Sequence, residues 1–283
     1  MSALVKAGAV VGGIALTIGG GFYVKTLLGE EVLCIPLTKE DGYSSTYDNN
    51  KIGKVYGDYL VAPFGSVLKT GNGSSGKAVE DNKKWWEQTY EVFKKDKGLS
   101  SEFKDRIDRP YDNRVTAVSQ TQEAKKALNK VCEEVYGKAS TDIETSASDT
   151  GHTKSNLRED LFKYCSFLGK EPIKVSESEY TDADSYGKKY SSKLISTTDR
   201  KNDKFWKKQN ELFFEKTGDR SGKDLTDTNS IFKKLYDATG AKEKWDSLKK
   251  VCEAVYSKQE GGADVEKASK DDVLKFCSLK GKE

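Results

Sequence analysis

The six residues VCEEVY at positions 131–136 recur, with one substitution, as VCEAVY at positions 251–256. The two stretches are 120 residues apart, and the same offset relates Trp86 to Trp206. A constant offset over such a distance is typical of a duplicated folding unit, because each copy retains the residues that its core needs while its surface diverges. The matched residues are mainly apolar, aromatic and cysteine side chains, so the sequence predicts a duplicated scaffold without a shared catalytic set.

Apolar side chains recur at helical spacing around each copy of this motif. Four residues between Leu128 and Val135 follow the i, i+3, i+4, i+7 pattern of a helix with one buried face. An earlier helix is predicted over 82–97 in the first copy and over 203–217 in the second. The predicted core of the repeat consists of Trp86, Phe93, Leu128, Val131 and Val135 in the first copy and of Trp206, Phe213, Leu248, Val251 and Val255 in the second.

A third predicted helix contains Cys165 in the first copy and Cys277 in the second. Here the offset falls to 112, which indicates that the polar loop over 139–153 is shorter in the second copy. We therefore predict a mainly α fold in which an N-terminal transmembrane helix precedes two duplicated small helical units. The predicted boundaries are 1–29 for a membrane anchor, 30–80 for a loop-rich stalk or partial repeat, 81–171 for helical repeat 1, and 172–283 for helical repeat 2 with its linker.

A weaker match to the repeat lies upstream of the first copy. Cys34 precedes Tyr56-Gly57 by 22 residues, and Cys165 precedes Tyr186-Gly187 by 21 residues. The similar spacing indicates that Cys34 ends a truncated earlier unit. It leaves the fold of residues 30–80 open between a stalk and a partial repeat.

No charged residue lies between Lys6 and Lys25. As a helix, these eighteen residues would rise about 27 Å, close to a hydrocarbon core of about 30 Å. Phe22-Tyr23 would then lie in the interfacial aromatic belt, and Lys6 favours an internal N-terminus with the body outside. A cleaved signal peptide and a buried core helix are the alternatives, but the run lacks a clear cleavage site and is rich in glycine, which disfavours a soluble helix.

Each copy has two cysteines at matched places, predicted to lie on the core faces of helices that pack together. We predict one disulfide in each copy, between Cys132 and Cys165 and between Cys252 and Cys277, with Cys34 unpaired or intermolecular. Such bonds persist outside a reducing cytosol, which agrees with a body held beyond a membrane. Buried free thiols are the alternative, since free cysteine is among the most buried residue types.

The composition excludes several classes of chemistry. The 48 basic and 45 acidic residues are spread along the chain, whereas nucleic-acid binding would favour a concentrated basic face. The single histidine, His152, and the absence of a C-x-x-C motif disfavour zinc sites and histidine-dependent catalysis. We therefore predict no catalytic, cofactor-binding or metal-binding residues, no cofactor and no enzymatic activity.

The layout resembles the paralogous families of uncharacterised proteins in haemotropic mycoplasmas. The resemblance lies in the opening MSALVKAGAVVGGIALTIGGGFYV, in the Lys/Glu-rich body with its Trp86 helix, and in the VCEEVY-like cysteine helix. The general layout covers the whole chain, with the specific similarity in the N-terminus and the cysteine helix. Membership would imply a bacterial plasma membrane and an exterior body, and it supplies no enzymatic motif.

These observations favour a single-pass plasma-membrane protein with an extracellular body that acts in binding or antigen display. Its expected partners are the lipid bilayer, through the N-terminal segment, and a host or extracellular protein, with no nucleic acid. Loops that differ in length between matched cores are how scaffolds carry variable contacts, and for this reason binding ranks first. A structural membrane-associated role and an unrecognised enzyme remain the alternatives.

Overall fold

The computed structural model describes residues 21–40, 42–65, 67–68, 79–113, 125–145, 151–262 and 267–283. Within these ranges the chain is mainly helical, with short strands in pairs. The strands are β1 (Phe22–Lys25), β2 (Glu31–Cys34), β3 (Val67–Leu68), β4 (Val79–Glu80), β5 (Ile107–Arg109) and β6 (Lys126–Ala127). The helices are α1 (Tyr43–Thr46), α2 (Ile52–Tyr56), α3 (Lys83–Phe93), α4 (Leu128–Tyr136), α5 (Thr153–Tyr164), α6 (Tyr186–Lys189), α7 (Asp203–Phe214), α8 (Ile231–Asp237), α9 (Ser247–Tyr256) and α10 (Lys270–Cys277).

The predicted helices of both copies are present, with somewhat shorter limits than the sequence indicated. In the first half α4 packs against α3 and α5, and in the second half α9 packs against α7 and α10. Gly98 and Gly218, which the sequence marks as stop signals, both adopt positive φ values a few residues beyond α3 and α7. The middle of the predicted 139–153 loop lies outside the described residues.

The N-terminal prediction needs correction at its end. The predicted anchor covers residues 1–29, of which 1–20 lie outside the described residues. Residues 22–25 are not helical: they form β1, which pairs antiparallel with β2. Phe22 and Val24 point inward while Tyr23 and Lys25 point outward, the period-two alternation of a strand that is buried on one face. Within the described ranges, no helix combines the length and the apolar character needed to cross a membrane.

Residues 30–80 are not a stalk where the structure describes them. Ile52, Tyr56 and Tyr59 have no exposed surface and belong to the same hydrophobic core as α3 and α4. The sequence indicates loops here because the helices are too short to give a periodic signal. It is therefore part of the first folded half.

The weaker match between Tyr56-Gly57 and Tyr186-Gly187 has a different register in the structure. Gly53 lies against the ring of Tyr47, and Gly187 lies against the ring of Tyr180. An added Cβ would come within 2.7 Å of the Tyr47 ring and 2.6 Å of the Tyr180 ring, so both positions require glycine. The matched segments are thus 51–61 and 185–195, which pair to the rest of their halves through equivalent β-bridges at their first and last residues. Cys34 falls outside this match.

A buried asparagine joins three segments in the first half. Asn82 accepts a hydrogen bond from Ile35 N at 2.8 Å and donates to Ile35 O at 2.9 Å and to Ala62 O at 2.8 Å. Trp86, one turn along α3, donates its indole N–H to the same Ala62 carbonyl. The side chain thereby joins the segment after β2 and the segment after α2 to the start of α3.

Asn202 makes the same three contacts in the second half. It accepts from Ile173 N and donates to Ile173 O and Ser196 O, with distances of 2.8 to 2.9 Å. Trp206 donates to Ser196 O, as Trp86 does to Ala62 O. Each half also has a buried tyrosine hydroxyl near the carbonyl of a disulfide cysteine: Tyr136 lies 2.9 Å from Cys165 O, and Tyr256 lies 3.2 Å from Cys277 O.

The two halves share buried contacts. Tyr59 donates its hydroxyl to Gln209 Oε1 at 2.5 Å and packs its ring 5.4 Å from that of Phe205. The guanidinium of Arg220 lies over the Tyr59 ring, 5.9 Å from the ring centroid. Because these side chains are buried together, the first half depends on the second for part of its core.

We expect the folded body to begin at β1 and not at residue 30. A chain starting at Gly21 keeps Phe22 and Val24, whereas a chain starting at Glu30 loses both side chains from the core. Burial of such a side chain stabilises by about 1.5–3 kcal/mol, so the shorter chain should unfold at clearly lower urea concentration. Equal unfolding midpoints for the two chains would show that β1 is not part of the stable body.

Asn82→Ala and Asn202→Ala should each destabilise the protein strongly. Each change removes three hydrogen bonds and leaves buried backbone groups without these partners, at an expected cost of about 2–4 kcal/mol. Asn229→Ala is the matched control, because that side chain is exposed and should change the unfolding free energy by less than about 0.5 kcal/mol. Urea unfolding measures all three, and a variant at Asn82 as stable as the control would contradict the assignment.

Candidate ligand-binding cleft

A cleft of about 730 Å³ lies where the two halves meet. This volume is within the range of small-molecule sites in proteins. The first half contributes residues 144–145, which follow the 3₁₀ turn Ser140–Ile143, together with one side of α5 and the segment after α5. The second half contributes the segment around Lys193 and the residues after α10. The charged residues among those that line it are Glu144, Arg158, Glu159, Lys163, Lys170, Glu171, Lys174, Lys193, Lys280, Lys282 and Glu283.

One wall of the cleft is a fixed ion pair. Arg158 on α5 binds Glu171 through two parallel hydrogen bonds of 2.6 Å. The same guanidinium donates to Tyr56 Oη at 3.3 Å and to Ile143 O at 3.2 Å. A bidentate, partly buried arginine with this many acceptors has little freedom to turn toward a ligand. Arg158 therefore shapes the wall and is not an available cation.

Other cations of the cleft are also neutralised by neighbours. Lys280 of the second half donates to Glu144 of the first at 2.5 Å, which closes one end of the cleft across the two halves. Lys163 pairs with Asp96 at 2.6 Å. Lys193 lies 3.9 Å from Glu283, a looser pair. These ion pairs neutralise most of the cations that line the cleft.

Three lysines remain without a carboxylate partner in the part of the chain that the structure describes. They are Lys170, Lys174 and Lys282, all exposed, and the lining has only Glu159 as a comparably unpaired acid. The hydroxyl groups of Ser155 and Ser192 lie in the same lining. Uncompensated ammonium groups in the lining give the cleft a positive potential suited to carboxylate, sulfate or phosphate groups.

Local backbone geometry places these lysines. Lys170 follows Gly169, which has a φ of 77° and turns the chain out of the first half. Lys282 follows Gly281, where φ is 75° and an added Cβ would come within 2.6 Å of the Arg220 guanidinium. Arg220 in turn donates to Ser278 O and Leu279 O, so the last segment is held against the second half. Glycine at 281 permits that close passage.

The predicted cysteine pairs are both disulfide-bonded in the structure. Cys132 joins Cys165 with a Cα–Cα distance of 5.7 Å, and Cys252 joins Cys277 with a distance of 5.8 Å. Cys34 is free and buried, and burial raises the pKa of its thiol well above the usual value. None of the five cysteines lines the cleft, so the bonds act on stability.

Nine of the ten predicted core residues of the repeat are buried, and Val251 is only partly buried. Helical spacing assigns Val131 and Val251 to equivalent faces. However, α4 contacts β5 and β6, whereas α9 has its main contacts with α6, α7, α8 and α10. Different elements therefore cover the two helices, although their apolar patterns match.

The cleft was not found from the sequence. Its unpaired lysines lie in irregular segments of a chain in which 33% of residues are charged, so no spacing singles them out. His152, at the start of α5, is absent from its lining. Within the described ranges, no three His, Cys, Asp or Glu side chains come together as a metal site would need.

Comparison with protein-family models, with curated proteins and with solved structures finds no match to this chain.

Only one thiol should be detectable in the unreduced protein, and only after unfolding. Alkylation of the folded chain should give no label, because Cys34 is buried and its raised pKa keeps the thiol protonated. Unfolding without reductant should release one thiol, and reduction should release four more. Each bond closes a loop of 33 or 25 residues and should stabilise by about 3 kcal/mol.

Peptide mapping locates the labels. Recovery of label at Cys132 or Cys277 in the unreduced, unfolded chain would contradict the pairing and favour buried thiols.

Proposed function

We propose that this chain is a non-catalytic binding protein with a duplicated helical scaffold, held by its N-terminus on the outer face of the plasma membrane. Its ligand-binding site is the cleft between the two halves, and the ligand bears carboxylate, sulfate or phosphate groups. The observation that carries the ligand assignment is the set of three uncompensated lysines in the cleft lining. Antigen display is compatible with the same scaffold and needs no cleft.

Equivalent contacts in the two halves support the duplication. Asn82 and Asn202 bind matching backbone groups, and the two disulfides start from matching positions of α4 and α9. Independent origins would have to produce the same buried polar arrangement twice. Duplication followed by divergence of the connecting loops accounts for both the 120-residue offset and its change at the third helix.

Two features support an exterior location. The disulfides persist in an oxidising compartment, and the uncharged residues 7–21 ahead of β1 are mostly apolar, as those of a membrane segment are. The resemblance of the layout to the paralogous uncharacterised proteins of haemotropic mycoplasmas favours the same location. Carbonate extraction tests membrane attachment, and protease treatment of intact cells tests the side on which the body lies.

The cleft assignment can be tested with matched charge variants. We expect a fluorescent sulfated tetrasaccharide to bind the protein, with affinity that falls as salt is added, because salt screens exposed charges. Lys170→Glu combined with Lys174→Glu should weaken binding at least about tenfold, equivalent to about 1.4 kcal/mol. Lys242→Glu combined with Lys244→Glu makes the same change in net charge on exposed residues outside the cleft and should leave affinity within about twofold.

Three results would redirect the assignment. Equal loss of affinity in both double variants would show that net charge alone attracts the ligand. Equal binding of a neutral tetrasaccharide would remove the anionic requirement. A protein that binds neither sugar, with the disulfides intact, would favour the structural role.

A further inference from the structure

The turn between β1 and β2 presents an exposed apolar patch. Tyr23, Leu27 and Leu28 are 43 to 45% exposed. In the described part of the chain, the only other large apolar side chain with comparable exposure is Ile173. Single exposed leucines are ordinary, but three large apolar side chains within six residues concentrate apolar surface at one place. We refer to Tyr23, Leu27 and Leu28 as the hairpin patch.

The hairpin that carries the patch is firmly held from behind. Phe22 packs edge-on against Phe167 at 4.9 Å, and the ammonium of Lys208 lies 5.0 Å from the Phe22 ring centroid. Lys204 donates to Lys25 O at 2.9 Å and to Phe167 O at 3.3 Å. Both halves therefore hold β1, and its outward side chains have a fixed direction.

The turn geometry exposes the two leucines. Thr26 N donates to Glu30 O at 2.8 Å, and Gly29 N donates to Thr26 O at 3.0 Å, with Gly29 at a φ of 85°. Leu27 and Leu28 are the residues at the tip of this closed turn. Leu27 rests against Gly169, where an added Cβ would come within 2.9 Å of Leu27 Cδ2. The leucines are thus presented by a closed, packed turn.

Exposed charges of both signs surround the hairpin patch. Lys25 is exposed between Tyr23 and Leu27, and Lys170 follows Gly169, which Leu27 contacts. Glu30 and Glu31 are also exposed, and Glu30 accepts a hydrogen bond from Gln88, which leaves its charge in place. A tyrosine and leucines beside lysines are typical of a surface that enters the headgroup region of bilayers.

We propose that the hairpin patch inserts into the interfacial layer of the bilayer that the N-terminal segment enters. The argument for this occupant is continuity: Tyr23 is separated from Gly21 by one residue, and the uncharged run leads directly into β1. A body joined so closely to a membrane segment has its hairpin at the membrane surface. The inference rests on the membrane attachment proposed above.

The test places an environment-sensitive fluorophore on the patch of the full chain. Leu28→Cys is labelled with a nitrobenzoxadiazole dye in the folded state, where Cys34 is buried and should stay unlabelled; the unsubstituted chain checks this. Lys242→Cys, exposed and distant in sequence, is the matched control. Both proteins are reconstituted in phosphatidylcholine vesicles that contain a lipid with a shallow nitroxide. Tyr23→Cys provides a second patch position if Leu28→Cys lowers the thermal midpoint.

We expect a blue-shifted emission and several-fold stronger nitroxide quenching at position 28 than at position 242. Flotation of the vesicles is measured on the same samples, so the two proposals can fail separately. Protein that does not float overturns membrane attachment and, with it, the insertion of the patch. Protein that floats while the dye at positions 28 and 23 behaves like the dye at position 242 overturns insertion alone.

Discussion

In each half, one buried asparagine at the start of a helix holds three separate segments together. Asn82 and Asn202 stand at helix starts, where asparagine commonly caps its own helix, yet their side chains bind backbone groups brought from elsewhere in the chain. A buried backbone carbonyl or amide without a hydrogen-bond partner is costly. These contacts therefore fix where the segments around Ile35 and Ile173 can lie. The disulfide and the helix packing then act on segments whose positions the asparagine has set.

Much of the helical scaffold could be predicted because helices longer than two turns leave a periodic signal, as around Leu128–Val135. The cysteine pairs could be predicted because helical spacing placed Cys132 and Cys252 on core faces. The role of Asn82 in joining segments could not be recognised, because an asparagine before a helix is typical of an ordinary helix cap. The hairpin could not be recognised for another reason. β1 is four residues long and ends an uncharged run, and the apolar composition of that run hides the period-two alternation of the strand.

The cleft depends on both halves. Tyr59 contacts Phe205 and Gln209 in the core that the halves share, while the segments after α5 and α10 line the cleft. No property of either half alone would indicate the cleft, because its lysines come from both. Tyr59 could be judged apolar and buried from the sequence, but its partner 150 residues away could not.

The pairing of Phe22 with Cys34 across the hairpin ties the one free thiol to the state of β1. Cys34 is buried while β1 lies beside β2. Opening of the hairpin would separate Cys34 from the strand that pairs with it. The accessibility of this single thiol therefore reports whether the hairpin is closed.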